Sequence, residues 1–104
     1  MSKYLAQCTY VGEGIKGLLK EGGSSRRAAV EKLVKSLGGT VEAFYYAFGE
    51  YDLIVIADVP DNVSMAAIAL TVNATGTAAV KTTVLIKDKS ENKGDEEWGC
   101  LFTL

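Results

Sequence analysis

The chain contains no histidine. That absence removes histidine-ligated haem, most catalytic zinc sites and every triad that uses imidazole as its base. Cysteine is scarce: Cys8 and Cys100 share no metal-ligand spacing, and both read as free thiols rather than as part of a stapled fold. No metal and no cofactor is expected. Lysine and arginine total 11 against 13 acidic residues, a formal net charge of -2, and no basic tract occurs. Nucleic-acid binding through phosphate contacts is therefore not expected. No apolar run approaches the roughly 20 residues that span a bilayer. Met1-Ser2-Lys3 leads straight into strand-like sequence, without the apolar core of a signal peptide. The expectation is a cytoplasmic protein with no membrane partner.

What is present is a chain of 104 residues, 48% hydrophobic and 23% charged, a globular composition at the size of one domain. Thr40 to Val59 organises it. This stretch reads as two strands joined at Phe48-Gly49-Glu50-Tyr51-Asp52. Strict alternation puts Val41, Ala43, Tyr45 and Ala47 on one face and Glu42, Phe44, Tyr46 and Phe48 on the other. In the second strand Leu53, Val55, Ala57 and Val59 oppose Ile54 and Ile56. Neither strand has a consistently polar face, so the sheet reads as covered on both sides.

Before the hairpin, Lys3 to Val11 alternates as a strand, Ile15 to Leu19 suits a short helical turn, and Gly22-Gly23 interrupts. Ser24-Ser25 offers an N-cap to a helix that carries Val30, Leu33, Val34 and Leu37 on one face. Glu31 and Lys35 form an i,i+4 pair on it, and Gly38-Gly39 closes it. After the hairpin, Pro60-Asp61-Asn62 starts a second helix, about Val63 to Thr75, with Asp61 or Asn62 as cap. That helix is apolar on nearly all sides, which implies burial by more than one neighbour. Ala78 to Ile86 is the last strand.

The order β-α-β-β-α-β predicts an α+β, ferredoxin-like fold: an antiparallel four-stranded sheet with two helices on one face and the first and third strands central. The second, greasy sheet face then needs a partner, and a homodimer through it is expected. The domain is expected over 1–87. Residues 88–104 are read as a charged linker followed by an apolar tail, Trp98 to Leu104, which either docks or is disordered.

Gly49-Glu50-Tyr51-Asp52 carries a Gly-x-Tyr-Asp signature. Together with Gly14-Ile15-Lys16-Gly17-Leu18, Ala28 to Gly39, Pro60-Asp61-Asn62 and Lys81-Thr82-Thr83, it makes the chain resemble the GYD family over about Tyr4 to Ile86. The resemblance implies a ferredoxin-like fold of the dimeric α/β-barrel kind in a small cytosolic, mostly prokaryotic protein. It implies no reaction. Relatives at the level of fold include cofactor-free monooxygenases, isomerases, haem enzymes and ligand-sensing domains, and fold does not choose among them.

Four residues are candidates for a ligand site: Tyr10, Tyr51, Asp52 and Lys81. Asp52, at the start of a strand, suits a general base if partly buried. Its structural alternative is to hydrogen-bond backbone N–H groups of its own loop while Gly49 makes a turn with φ > 0. Lys81 stands on an otherwise apolar strand, where it either pairs with Asp52 as an acid/base or anion site or snorkels to the edge. Tyr10 and Tyr51, with Tyr45 and Tyr46, offer aromatic walls or simple packing. Arg26-Arg27 at a helix start suits an anion or plain solvation. Cys8 reads as inert packing. The functional expectation is a small-molecule-binding module without catalysis. The alternatives are a structural or regulatory assembly module, or a cofactor-free enzyme of monooxygenase or isomerase type.

Overall fold

The computed structural model describes residues 2–86. The expected linker and apolar tail, Trp98 to Leu104 included, lie outside the described residues. The elements are β1 (Ser2–Tyr10), α1 (Glu13–Glu21), α2 (Gly23–Ser36), β2 (Thr40–Tyr46), β3 (Leu53–Val59), α3 (Asn62–Ala74) and β4 (Ala78–Leu85). The strands form one antiparallel sheet in the order β2-β3-β1-β4, so β1 and β3 occupy the centre. The fold is α+β.

Among the described residues three helices, not two, accompany the sheet. The expected turn at Ile15 to Leu19 is part of a nine-residue helix, α1. Its glycines lower helix propensity, but Leu18 packs on the core and holds the segment. Gly22 is at once the C-cap of α1 and the N-cap of α2, with φ 89. A break of one residue between two helices needs this left-handed backbone, which glycine adopts without a Cβ penalty. Consequently α2 starts at Gly23 with no side-chain cap, and Ser24-Ser25 lie inside its first turn.

At its far end α2 closes as the glycine pair predicts. Gly39 N–H donates to the Val34 carbonyl and Gly38 N–H to that of Lys35, with Gly38 at φ 83. This is a Schellman closure. On the exposed side Glu31 pairs with Arg27 at 3.2 Å rather than with Lys35, and the Arg27 guanidinium also lies over the Phe44 ring. Helix α3 is capped by Asp61, whose carboxylate accepts from Ser64 N–H at 2.8 Å.

The inner, helix-facing side of the sheet holds the core. Tyr4, Cys8 and Tyr10 from β1 and Leu53, Val55, Ala57 and Val59 from β3 are buried there, with Val34 of α2, Met65 and Ile68 of α3, and Ala78 of β4. Each fully buried aliphatic side chain contributes on the order of 1.5–3 kcal/mol. The buried Tyr4 satisfies its hydroxyl by donating to the Asn62 side-chain oxygen, as a buried phenol requires.

Two expectations about faces fail. A β-bulge between Val41 and Ala43 interrupts the alternation of β2. Val41 pairs with Ala57, and beyond the bulge Phe44 pairs with Val55 and Tyr46 with Leu53. Val41 therefore shares the inner face with Phe44 and Tyr46, because the extra residue shifts the two-residue period by one. Helix α3 is the second case. It buries Met65 and Ile68, while Val63 and Leu70 stay exposed at 79% and 67%. Among the described residues it packs on the sheet, with Val34 of α2 beside its buried side chains.

The outer face carries Leu5, Gln7, Ile54, Ile56, Tyr45, Ala43, Lys81 and Thr83, as the strand register dictates. Lys3 bridges Asp58, at 3.1 Å, and Glu42 at one edge of it.

Candidate functional site

The four residues singled out in the sequence do not converge. Asp52 ends the ladder between β1 and β3. Its N–H donates to the Cys8 carbonyl at 2.9 Å, its own carbonyl accepts from Ala47 N–H at 2.9 Å, and its Oδ2 accepts from Tyr10 N–H at 2.9 Å. The carboxylate thus substitutes for the next rung of the sheet, and it fastens the hairpin base to the end of β1. Lys81 pairs in register with Gln7 on the outer face and is exposed. No ion pair among the described residues joins it to Asp52. Tyr51 is half-buried beside Asp52. Gly49 does not take a positive φ, and a Cβ there would meet open space. Nothing in the structure explains the glycine.

Tyr10 alone of the four lines a cavity of about 200 Å³ on the inner side of the sheet. The floor comes from Ala6 and Cys8 of β1, Val55 and Ala57 of β3, and Ala78 and Val80 of β4. Val30, Leu33 and Val34 of α2 form one wall, and Met65, Ile68 and Val72 of α3 form the other. The space exists because the central floor positions are small. Ala6, Ala57 and Ala78 stand where larger side chains would reach the helices. The signal was present in the alternation of β1, β3 and β4, but it becomes a cavity only once the fold sets these three alanines into one floor.

One end of the cavity is polar. Arg26, in the first turn of α2, has its guanidinium carbon 5.7 Å from the centre of the Tyr10 ring. Such a placement is attractive because the ring face is negative. From the other side α1 approaches closely: a Cβ on Gly17 would lie 3.3 Å from Arg26 Nη2. Outside the cavity, the Tyr46 hydroxyl donates to the Gly23 carbonyl at 2.8 Å and ties β2 to the start of α2. β1, through the Tyr10 ring, and α1, through Gly17, both approach Arg26, which the sequence offers only as a helix-start anion site or a solvated one. Arg26, not Lys81, is the cation at the cavity.

Protonation states follow from burial. Burial pushes the Tyr10 phenol up to about 12, with Tyr46 raising it further and Arg26 opposing. Tyr10 is a proton-bearing donor throughout the physiological range. Burial likewise pushes the Cys8 thiol up to about 11, which keeps it protonated and unreactive. Among the described residues no three of Cys, Asp and Glu gather as metal ligands. Among the described residues no carboxylate lines the cavity. The arrangement can enclose a compact apolar body and offer it a cation and hydroxyls at one end.

An antiparallel four-stranded sheet packed under helices, with an apolar cavity between the layers, defines the class. The chain belongs to the GYD domain family, whose profile matches residues 4–92. The match starts where the sequence resemblance starts and runs beyond Ile86. Comparison with the curated proteins finds no match.

Proposed function

We propose that this protein is a small-molecule-binding module that encloses a compact apolar ligand between the sheet and the α2–α3 pair, without catalysing its conversion. The cavity of about 200 Å³ carries this reading, since small-molecule sites are mostly apolar with few polar groups that set orientation. Binding is favoured over cofactor-free chemistry by the lining. Its thiol is held protonated, its phenol at Tyr10 is a poor base, and Asp52 is engaged by the Tyr10 backbone. A fragment library screened by ligand-observed NMR should give binders to the wild-type chain that Ala6→Leu, which fills the floor, no longer takes. Binders unaffected by the filled floor, or none at all, contradict the reading.

The arrangement is of ferredoxin-like type, and its outer face joins a second copy in a dimeric α/β-barrel. Leu5, Ile54, Ile56 and Tyr45 on that face support this, as does family membership. A face-to-face pair would bury on the order of 1,600 Å². Sedimentation equilibrium should give a dimer that Ile56→Lys breaks. A wild-type monomer at micromolar concentration contradicts it. A dimer that binds no fragment would instead favour the assembly module. The free Cys8 thiol suits a reducing, cytoplasmic setting.

A further inference from the structure

We infer that residues 98–104 of this chain, WGCLFTL, seat on the outward face of α3, the side turned away from the cavity. That stretch lies outside the described residues; the face that receives it does not. Met65, Ile68 and Val72 turn one side of α3 to the cavity. Val63, Ala66, Leu70 and Ala74 recur at helical spacing on the other side, and all four are exposed. Ala66, between Val63 and Leu70, leaves a notch that a large side chain can enter. No Asp, Glu, Lys or Arg occurs from residue 62 to residue 80. An uncharged surface of this kind marks an interaction site rather than a solvated helix face.

Three observations select the occupant. The first is where the described residues stop. Val84 pairs with Tyr4 across β1 and β4, and the Tyr4 hydroxyl donates to the side chain of Asn62, the first residue of α3. The end of β4 therefore lies beside Val63. The second is reach. Residues 87–97 separate Ile86 from Trp98; fully extended, they span at most about 40 Å. Helix α3, with 13 residues, is only about 20 Å long, so residues 98–104 reach every point of the stripe. The third is area. A face about 20 Å long and about 10 Å wide offers on the order of 200 Å², whereas each partner in a stable dimer buries about 800 Å². A second copy would be held weakly there. A seven-residue segment fits, and its covalent tether raises its local concentration to the order of millimolar, so a small contact suffices. The segment also matches the face in kind: it carries no charge and brings Trp98, Leu101, Phe102 and Leu104 as large apolar side chains.

Trp98 is the single tryptophan of the chain, so its fluorescence, excited apart from the tyrosines, reports on this segment alone. In the full chain its emission should lie to the blue of a free tryptophan amide and be shielded from acrylamide. Leu70→Lys should move the emission to the red and raise the quenching constant at least twofold. Its far-UV circular dichroism should stay that of the wild type, because Leu70 is exposed and lysine forms helix about as well as leucine. Ile56→Lys, on the outer sheet face, should leave both fluorescence readings unchanged, and neither should vary with protein concentration. A wild-type Trp98 quenched like the free amide would overturn the inference, as would a shielded Trp98 that ignores Leu70→Lys. A response to Ile56→Lys instead would place the segment on the sheet, and concentration-dependent emission would place it on another copy; either overturns it. Should Leu70→Lys fail to fold, Val63→Lys is read in the same way.

Discussion

Replacing Asp52 separates a structural carboxylate from a functional one. Its Oδ2 accepts the Tyr10 N–H at 2.9 Å in a half-buried position. Asp52→Ala removes that acceptor and leaves the Tyr10 N–H without it at the end of the central strand. Hydrogen bonds to charged groups contribute about 1.5–3 kcal/mol; partial exposure places this one near the lower end, about 1–2 kcal/mol. With an m-value near 1–2 kcal/mol/M, the urea midpoint should fall by roughly 1 M. Asp52→Asn retains an amide oxygen at the same reach, and a neutral bond is about half as strong, so its midpoint should fall by about half as much. Both variants should bind cavity ligands as the wild type does, because Asp52 does not line the cavity. Equal destabilisation by Asn and Ala would refute the acceptor role. Loss of ligand binding in a folded Asp52→Asn chain would refute the structural assignment altogether.

Further outcomes follow from the same geometry. Gly39→Ala should destabilise by about 1–3 kcal/mol, because its Cβ would lie 2.5 Å from the Asp58 carbonyl oxygen and 3.0 Å from Val34 Cγ1; thermal denaturation would show it. Asp61 is held below its ordinary value of 3.8 chiefly by the Ser64 backbone N–H. Its contribution is present above that value and lost as pH falls below it, so the melting-temperature gap between wild type and Asp61→Ala should close in acid. Cys8, raised from 9.0 to about 11 by burial, contributes fully below pH 9. That contribution is lost as pH rises toward 11, so Cys8→Ala should flatten the alkaline limb of a stability–pH profile.

Much of this fold is legible because its signals are local. The alternation of β1 and β3, the Asp61 cap and the Gly38-Gly39 closure each depend on a few neighbouring residues and the backbone geometry they favour. The bulge after Val41 is not local in this sense. Nothing in Thr40 to Tyr46 marks an extra residue until β3 supplies the partner register. Helix α1 escapes a propensity reading because it is held by Leu18 packing on the core rather than by its own glycine-containing sequence. The site divides the same way. Asp52 as a binder of backbone N–H groups was one of two open roles, though its partner lies on β1 rather than in its own loop. Pairing it with Lys81 required faces that only the register assigns. The cavity depends on Ala6, Ala57 and Ala78, far apart in sequence, sharing one floor.

The central claim is that the space between sheet and helices takes a ligand. The most direct measurement is a methyl-resolved NMR titration of the full chain with toluene, a probe that carries no charge. The account predicts saturable shifts at the methyls of Val30, Val55, Ile68 and Val72, which line the cavity, with Leu5, Ile54 and Ile56 on the outer face unmoved. Shifts confined to the outer face, or none at all, would contradict it.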